Sequence, residues 1–386
     1  MKIAILSQEE NNYSTQRLKA AALGRGHDVH ILHTAKFLIR VEQKNPELYY
    51  EGKPVNDYDA VIPRIGASVT FYGTAVVRQF QQMGVFALNP AQAITISRDK
   101  LRALQVLSRH NVGLATTAFA KQRSDVLKAI ESVGGAPVII KLLEGTQGIG
   151  VILAETKKMA EAVVETLQST KHQVLIQKFV KESKGKDIRA FVIGDRVVGA
   201  MRRLATGDEF RSNVHRGGRA EKVELSPEYQ RTAVQAAQII GLSVAGVDML
   251  ESASGPVIME VNSSPGIEGI EKALKIDIAG EIIKYMEEQV LFPEVDIRQR
   301  LTLRSGYGVA EIPVNDQSEL ANKLIKNTGL KEREVLVLSV LRETLTIPTP
   351  KGEDRILVND ILVCYGKLST LKNLIPPKSK KSKSGK

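Results

Sequence analysis

Cysteine is all but missing: Cys364 stands alone among 386 residues, so no internal disulfide can form. No run of about 18 apolar residues occurs, and nothing reads as a membrane-spanning helix. Aromatic residues reach only 5% and no RNA-binding signature accompanies them, which argues against a dedicated nucleic-acid function. The first 95 residues lack a G-x-G-x-x-G turn, so dinucleotide binding is not indicated, and no Walker A loop follows. No convincing Ser-His-Asp or Cys-His set is present, and no tandem repeat. Met1–Leu6 gives way to Ser7-Gln8-Glu9-Glu10 too soon for a signal peptide and reads as a strand. Together these features predict a cytoplasmic protein.

What is present is ordinary in bulk: 43% hydrophobic and 25% charged residues, enough chain for two or three domains. The net charge of +11 falls to +6 without the five lysines of Lys378–Lys386. A modestly basic body attracts anionic substrates.

Residues 1–95 alternate strand and helix signals: strands at Lys2–Ser7, Asp28–His33, Ala60–Pro63 and Phe86–Leu88, helices at Ser14–Gly26 and Tyr72–Gly84. This pattern predicts a small parallel α/β domain. A helix over Arg98–His110, capped by Ser97, opens a mixed α+β region, 96–290. Residues 291–305 read as a linker. Residues 306–376 form a third domain, with a strand at Val309–Pro313, a helix at Ser318–Thr328, and further segments at Glu334–Leu341, Asp354–Leu357 and Asn359–Val363. The lysine- and serine-rich end, 377–386, predicts disorder.

The strongest chemical signal lies in Gly246–Leu250 and Val257–Asn262, two strands joined by a turn centred on Ser254. That hairpin sets Asp248 opposite Glu260, with Asn262 on the same face. Adjacent carboxylates repel unless a cation intervenes, and such oxygens suit magnesium. The competing reading is a solvated hairpin face. Glu144–Val151 holds Gly145, Gly148 and Gly150, so its backbone amides can approach phosphate closely, or it is a plain flexible hairpin. Lys141 sits in an apolar strand, where it must find a partner, reach a phosphate, or snorkel to the surface. Lys100 lies in a first helical turn, where the macrodipole disfavours a cation unless an anion is near. Gly194-Asp195 reads as a two-residue turn, placing Asp187 opposite Arg202. Beyond it come Arg203, Arg211, Asn213 and Arg216, which suit ATP or a carboxylate substrate, or form a surface ion-pair ladder.

The order of these features resembles the ATP-grasp superfamily. Within it, residues 1–290 resemble the RimK family, ligases that add glutamates to the C-terminus of a small-subunit ribosomal protein. The motifs are Ser97–Lys100, Gly145–Gly150, Lys186–Arg189, Phe210–Gly218 and Glu260–Gly266. The resemblance implies an ATP-grasp fold behind a pre-ATP-grasp α/β domain. It implies that Lys100, Lys141 and the loop glycines hold ATP phosphates, and that Asp187 contacts the nucleotide. Arg211, Ser212 and Asn213 lie at the phosphates, with Arg211 and Asn213 catalytic. Gln177, Lys178 and Phe179 form the adenine hinge, where Lys178 replaces the family's usual glutamate. Asp248, Glu260 and Asn262 bind two magnesium or manganese ions. Arg189, Arg202, Arg203, Arg216 and Ser264 are candidates for substrate contact. Implied partners are free glutamate and the ribosomal protein, in a homotetramer without a membrane. Residues 306–376 resemble the C-terminal domain of TrkA-type regulators, which implies a small-molecule effector, a dimerisation element or a docking arm. Two other functions share these residues: a ligase for a small-molecule carboxylate, and a non-catalytic ATP-binding regulator.

Overall fold

The computed structural model describes residues 1–43, 45–143, 150–207, 210, 218–291, 307–342 and 345–376. The expected linker beyond 291, the lysine-rich end and most of the glycine loop lie outside these residues. So do Arg211, Ser212, Asn213 and Arg216. The chain divides into two compact units, Met1–Tyr285 and Met286–Lys386.

The first unit opens with a parallel sheet. Strand β1 (Lys2–Ser7) is followed by helix α1 (Tyr13–Gly24) and β2 (Asp28–His33). A small antiparallel ribbon comes next: β3 (Phe37–Arg40), β4 (Glu47–Tyr50) and β5 (Lys53–Pro54). Then follow β6 (Ala60–Pro63), α2 (Thr70–Gln82) and β7 (Phe86–Ala87). The sheet order is β2-β1-β6-β7, with β1 parallel to both neighbours. Ile3 to Leu6 of β1 are fully buried, which is why a continuous apolar run forms a strand here. Phe80 of α2 closes the core from one side.

The predicted single helix over Arg98–His110 is two helices. Helix α3 (Ala91–Arg98) stops at Asp99, whose φ of −90° and ψ of 100° leave the helical region. The Asp99 carboxylate then accepts from the Arg102 amide and caps α4 (Lys100–Ser108). Ser97 is therefore not the cap; its hydroxyl donates to the Val261 carbonyl at 2.7 Å.

A second sheet gathers β8 (Thr117–Phe119), β9 (Val138–Leu142), β10 (Val151–Ala154) and β11 (Val174–Lys178), in the order β10-β9-β11-β8. Helices α5 (Val126–Ser132) and α6 (Lys157–Ser169) pack on it through Ile130, Ala160 and Val164. A five-stranded sheet follows, ordered β14-β13-β12-β15-β16. Its members are β12 (Lys186–Ile193), β13 (Arg196–Leu204), β14 (Arg219–Lys222), β15 (Val244–Ser252) and β16 (Gly255–Asn262). Helix α7 (Pro227–Ile240) covers one face, starting with proline and ending on Gly241 at φ 89°. Ala233, Ala236 and Ala237 let it sit close against Ile188, Val247 and Met249. Helices α8 (Glu268–Leu274) and α9 (Ile278–Leu291) complete the order.

Asn89 ties the parallel sheet to this core. Its amide donates to the Val244 and Ser263 carbonyls at 2.8 Å and accepts from the Ser243 and Val244 amides. Glu271 is a second tie, accepting from Tyr13, Arg17 and the Ala279 amide.

The second unit holds an antiparallel sheet, β17-β20-β18-β19, built from β17 (Tyr307–Pro313), β18 (Leu336–Arg342), β19 (Leu345–Pro348) and β20 (Ile361–Lys367), with α10 (Leu368–Asn373). The helix expected over Ser318–Thr328 does not form. Asn322 takes a positive φ of 62°, and the segment instead exchanges backbone hydrogen bonds with Asp354 and Ile356.

Candidate functional site

Side-chain alternation places six polar residues on the face of the five-stranded sheet opposite α7. The β15–β16 hairpin pairs Asp248 with Glu260, the expected pair, although its turn is Ala253-Ser254 and not centred on Ser254. The turn pairs Ser252 with Gly255, and the unpaired Met259 then shifts the register by one, so that Asp248 meets Glu260 instead of Met259. Asn262 donates to Glu260 Oε1 at 3.0 Å.

The β12–β13 hairpin departs from its expected register. A bulge at Phe191/Val192 leaves Val198 unpaired, so Asp187 faces Arg203, and Arg202 faces Ile188. Arg203 therefore enters the polar face. It donates two hydrogen bonds to Asp187, at 2.6 and 2.8 Å, and one to Asp248 at 2.9 Å. Arg189 holds Asp248 through two bonds of 2.6 Å. Arg202 lies on the other face, bonded to Glu251 at 3.0 Å and 3.8 Å from Glu221, away from the acid cluster. Asp187 is buried with both oxygens on Arg203, so it positions that arginine rather than offering a free carboxylate.

The electrostatics follow from this packing. Burial works against the charge of Asp248, but Arg189 and Arg203 outweigh it and hold the carboxyl well below its usual range. Burial likewise opposes the charge of Arg203, and Asp248 and Asp187 overcome it. Glu260 is held more weakly, by Asn262 and by Arg189 at 4.0 Å. Desolvation in the cleft and the charge of Asp248 raise its pKa.

Two lysines enter this field. Lys141 of β9 lies opposite Val151 and Leu175. Burial pushes its ammonium down to about 8, against the pull of Glu260. Lys100, at the start of α4, donates to the Leu142 and Leu143 carbonyls at 3.2 and 2.9 Å, and burial lowers its pKa too. Both end beside the point where the glycine loop leaves β9. Of that loop Gly150 is described; its φ of 75° and the Leu142 side chain, 2.5 Å from an added Cβ, both demand glycine.

At the expected hinge, the Gln177 amide donates to Thr117 Oγ1 at 2.9 Å and is buried. Lys178 is exposed, its amide bonded to the Thr116 carbonyl, and Phe179 is half-buried. Ser264 donates weakly to the Pro63 carbonyl at 3.4 Å.

The donor set fits a divalent cation. A carboxylate offers about four acceptor directions, and the two arginines fill three on Asp248. Glu260 keeps open acceptor capacity, and its repulsion with Asp248 is what a cation relieves.

Sequence context assigns no role to two arginines of this region. Arg64 follows β6, and Arg98 ends α3. The signal for Arg64 was available: a charged residue at the carboxyl end of an apolar parallel strand, where α/β sheets bind ligands.

Among solved structures, the ATP-grasp ligase PsnB in complex with its minimal precursor superposes with a TM-score of 0.60, covering 74% of this chain and 98% of that one at 21% identity. The D-cycloserine synthetase DcsG superposes at 0.56, covering 75% of this chain and 100% of its own at 15% identity. The fold is thus that of the ATP-grasp ligases. Residues 1–94 match the RimK PreATP-grasp domain, 97–286 the RimK-like ATP-grasp domain, and 309–376 the TrkA-C domain. A probable alpha-L-glutamate ligase of Rhodopirellula baltica is 59% identical over 383 residues, 99% of this chain and 95% of that protein. One from Aeromonas salmonicida is 56% identical over 287 residues, 74% of this chain and 96% of its own length. The chain belongs to the RimK family of ATP-grasp ligases, enzymes that form C–N bonds, and carries a TrkA-C domain after it.

Proposed function

We propose that this protein is an ATP-dependent glutamate ligase that extends the C-terminus of a small-subunit ribosomal protein through an acyl phosphate. The observation that carries this reading is the single sheet face on which Asp248, Glu260 and Asn262 converge, with Lys141 held in their field. The glutamate ligase activity given to the Rhodopirellula relative supports glutamate as the amine.

A carboxylate is a poor electrophile. The acceptor's terminal carboxylate attacks the γ-phosphate of ATP and displaces ADP; the amine of glutamate then attacks the acyl carbon, loses a proton and displaces inorganic phosphate to leave the amide. Lys100 and Lys141 bind the phosphate oxygens and neutralise their charge. Gln177, Lys178 and Phe179 line the adenine end. Asp248, Glu260 and Asn262 would hold two magnesium or manganese ions, which supply electrostatic stabilisation of the transferring phosphoryl group. Arg189 and Arg203 keep Asp248 ionised and fixed in orientation, and Asp187 fixes Arg203. Arg211 and Asn213 act at the reacting centre, with Arg211 on the tetrahedral oxyanion; Arg216 and Ser264 contact substrate. Gly145, Gly148 and Gly150 belong to a lid that keeps water from the acyl phosphate. The protein works in the cytoplasm as a homotetramer, and its TrkA-C domain takes a small-molecule effector.

The test is incubation with ATP, magnesium and glutamate, with and without the ribosomal protein, read by intact-protein mass spectrometry and ADP release. Mass increments of glutamate residues on the ribosomal protein support the reading. Unchanged protein mass, with ADP released only on adding a small carboxylate acceptor, refutes it.

A further inference from the structure

The crease where the parallel sheet meets the ATP-grasp core holds two cations that the phosphate chemistry leaves idle. Strand order β2-β1-β6-β7 reverses direction between β1 and β6. Ligands of open α/β sheets bind beyond the strand ends at such a switch point. Arg64 is the first residue past β6 there. Its Nη1 donates to the Pro265 carbonyl at 2.7 Å, across the crease. Arg98 reaches the same crease from the end of α3 and donates to the Ile65 carbonyl. Neither guanidinium has a carboxylate within ion-pair distance among the described residues, and Arg98 Nε is buried without a hydrogen-bond partner. The Ser263 hydroxyl, on the segment that follows Asn262, is buried and unpartnered as well.

This arrangement is unfavourable as it stands. Burial and the neighbouring Arg98 lower Arg64 to about 10, and burial lowers Arg98 against the pull of Glu260. The neighbouring arginines of the site, Arg189 and Arg203, each have a carboxylate on the fork. Two forks without one call for an anion, and the planar guanidinium matches a carboxylate bidentately. Phosphate already has Lys100 and Lys141.

We propose that Arg64 and Arg98 form a clamp for a non-reacting substrate carboxylate, in the crease beside Glu260. The clamp rests on the ligase reading above. The carboxylate has two sources: free glutamate, or the terminal residue of the acceptor.

The experiment uses the full chain as wild type, Arg64→Lys, Arg98→Lys and the double variant. Lysine keeps the charge and one donor for the backbone contact but loses the fork. ADP release is measured with glutamate, acceptor peptide and ATP varied in turn. The expected result is a tenfold or larger rise in KM for one carboxylate substrate, with the KM for ATP within twofold. A rise for glutamate is joined by loss of the preference for glutamate over glutamine, and assigns the clamp to the free amino acid. A rise for the peptide alone assigns it to the acceptor. KM values for both within twofold of wild type, or an equal rise for ATP, overturn the clamp while leaving the ligase reading in place. Wild-type enzyme that turns over no glutamate refutes the ligase reading by itself. The clamp is then judged by thermal-shift titration with glutarate. Stabilisation of wild type that the double variant lacks upholds it, and an equal or absent response overturns it.

Discussion

Lys141→Met separates what the lysine costs the fold from what it gives the ligand. In the free protein its pKa stands near 8 against an ordinary 10.5. A shift of that size corresponds to about 3 kcal/mol of destabilisation. The sign follows from proton counting. Below pH 8 both folded and unfolded chains carry the ammonium, and the folded chain bears the full desolvation cost. Between about pH 8 and 10.5 the folded lysine is neutral while the unfolded one still binds a proton, so the cost fades as pH rises. Above 10.5 it is gone. Methionine has similar length and no charge, so the variant is expected to be more stable than wild type by about 1–3 kcal/mol at pH 7, with the gain shrinking toward zero by pH 10.5. Its response to ATP reverses that order. Loss of a charge-assisted phosphate contact costs about 2 kcal/mol, or roughly 30-fold in affinity. ATP at about 100 times the wild-type Kd then stabilises wild type by about 2.7 kcal/mol and the variant by about 0.9 kcal/mol. Thermal and urea unfolding with and without magnesium-ATP, at pH 7 and pH 10, read all four quantities. A variant less stable than wild type at pH 7, or one with an undiminished ATP shift, refutes the assignment of Lys141 as a desolvated phosphate ligand.

Three further outcomes follow from the same geometry. Glu260→Gln is expected to abolish ADP release while the unfolding midpoint stays level or rises, because the amide keeps a partner for Asn262 and removes the repulsion with Asp248; full activity refutes the metal assignment. Asp248→Asn leaves the buried Arg203 and the Arg189 fork facing a neutral group, with an expected loss of about 3–5 kcal/mol in urea unfolding. A loss under about 1 kcal/mol contradicts the buried-pair reading. Gly113→Ala would put a Cβ 2.0 Å from the Pro256 carbonyl oxygen, while the Gly113 carbonyl itself accepts from the Ile258 amide. The loop must move off β16, so a stability loss above about 2 kcal/mol is expected, together with weaker magnesium-ATP binding by calorimetry; an unchanged midpoint argues against that contact.

What the residues reveal by themselves depends on how local the cause is. Strand β1 is legible because full burial on both sides turns it into an unbroken apolar run. The Asp248–Glu260 pairing agrees with a turn centred on Ser254 for a non-local reason: the turn is Ala253-Ser254, and the unpaired Met259 between turn and pair restores that register. The break between α3 and α4 is less legible than β1: Ser97 and Asp99 are both good caps, and only the tertiary bond from Ser97 to Val261 decides between them. The C-terminal segment Ser318–Thr328 has helical composition, yet cross-chain bonds to Asp354 and Ile356 override it. Arg64 and Arg98 are 34 positions apart, and nothing in either neighbourhood announces that they share a crease.

The β12–β13 hairpin shows how one such non-local detail reaches the chemistry. A regular ladder from Gly194-Asp195 pairs Asp187 with Arg202 and sends Arg203 to the α7 side. The unpaired Val198 reverses the parity of every later residue in β13. Arg203 thereby turns toward Asp187 and Asp248, and Arg202 turns out to Glu251. Asp248 keeps its charge in a buried position because two guanidiniums, not one, face it. Glu260 feels desolvation and that charge, which Arg189 at 4.0 Å offsets only in part, and its affinity for a proton rises. Strong ionisation at one carboxylate and poised ionisation at its neighbour is the state that favours a divalent cation between them. The carboxylate geometry of this face therefore depends on two bulge residues, Val198 and Met259, that bear no chemistry themselves.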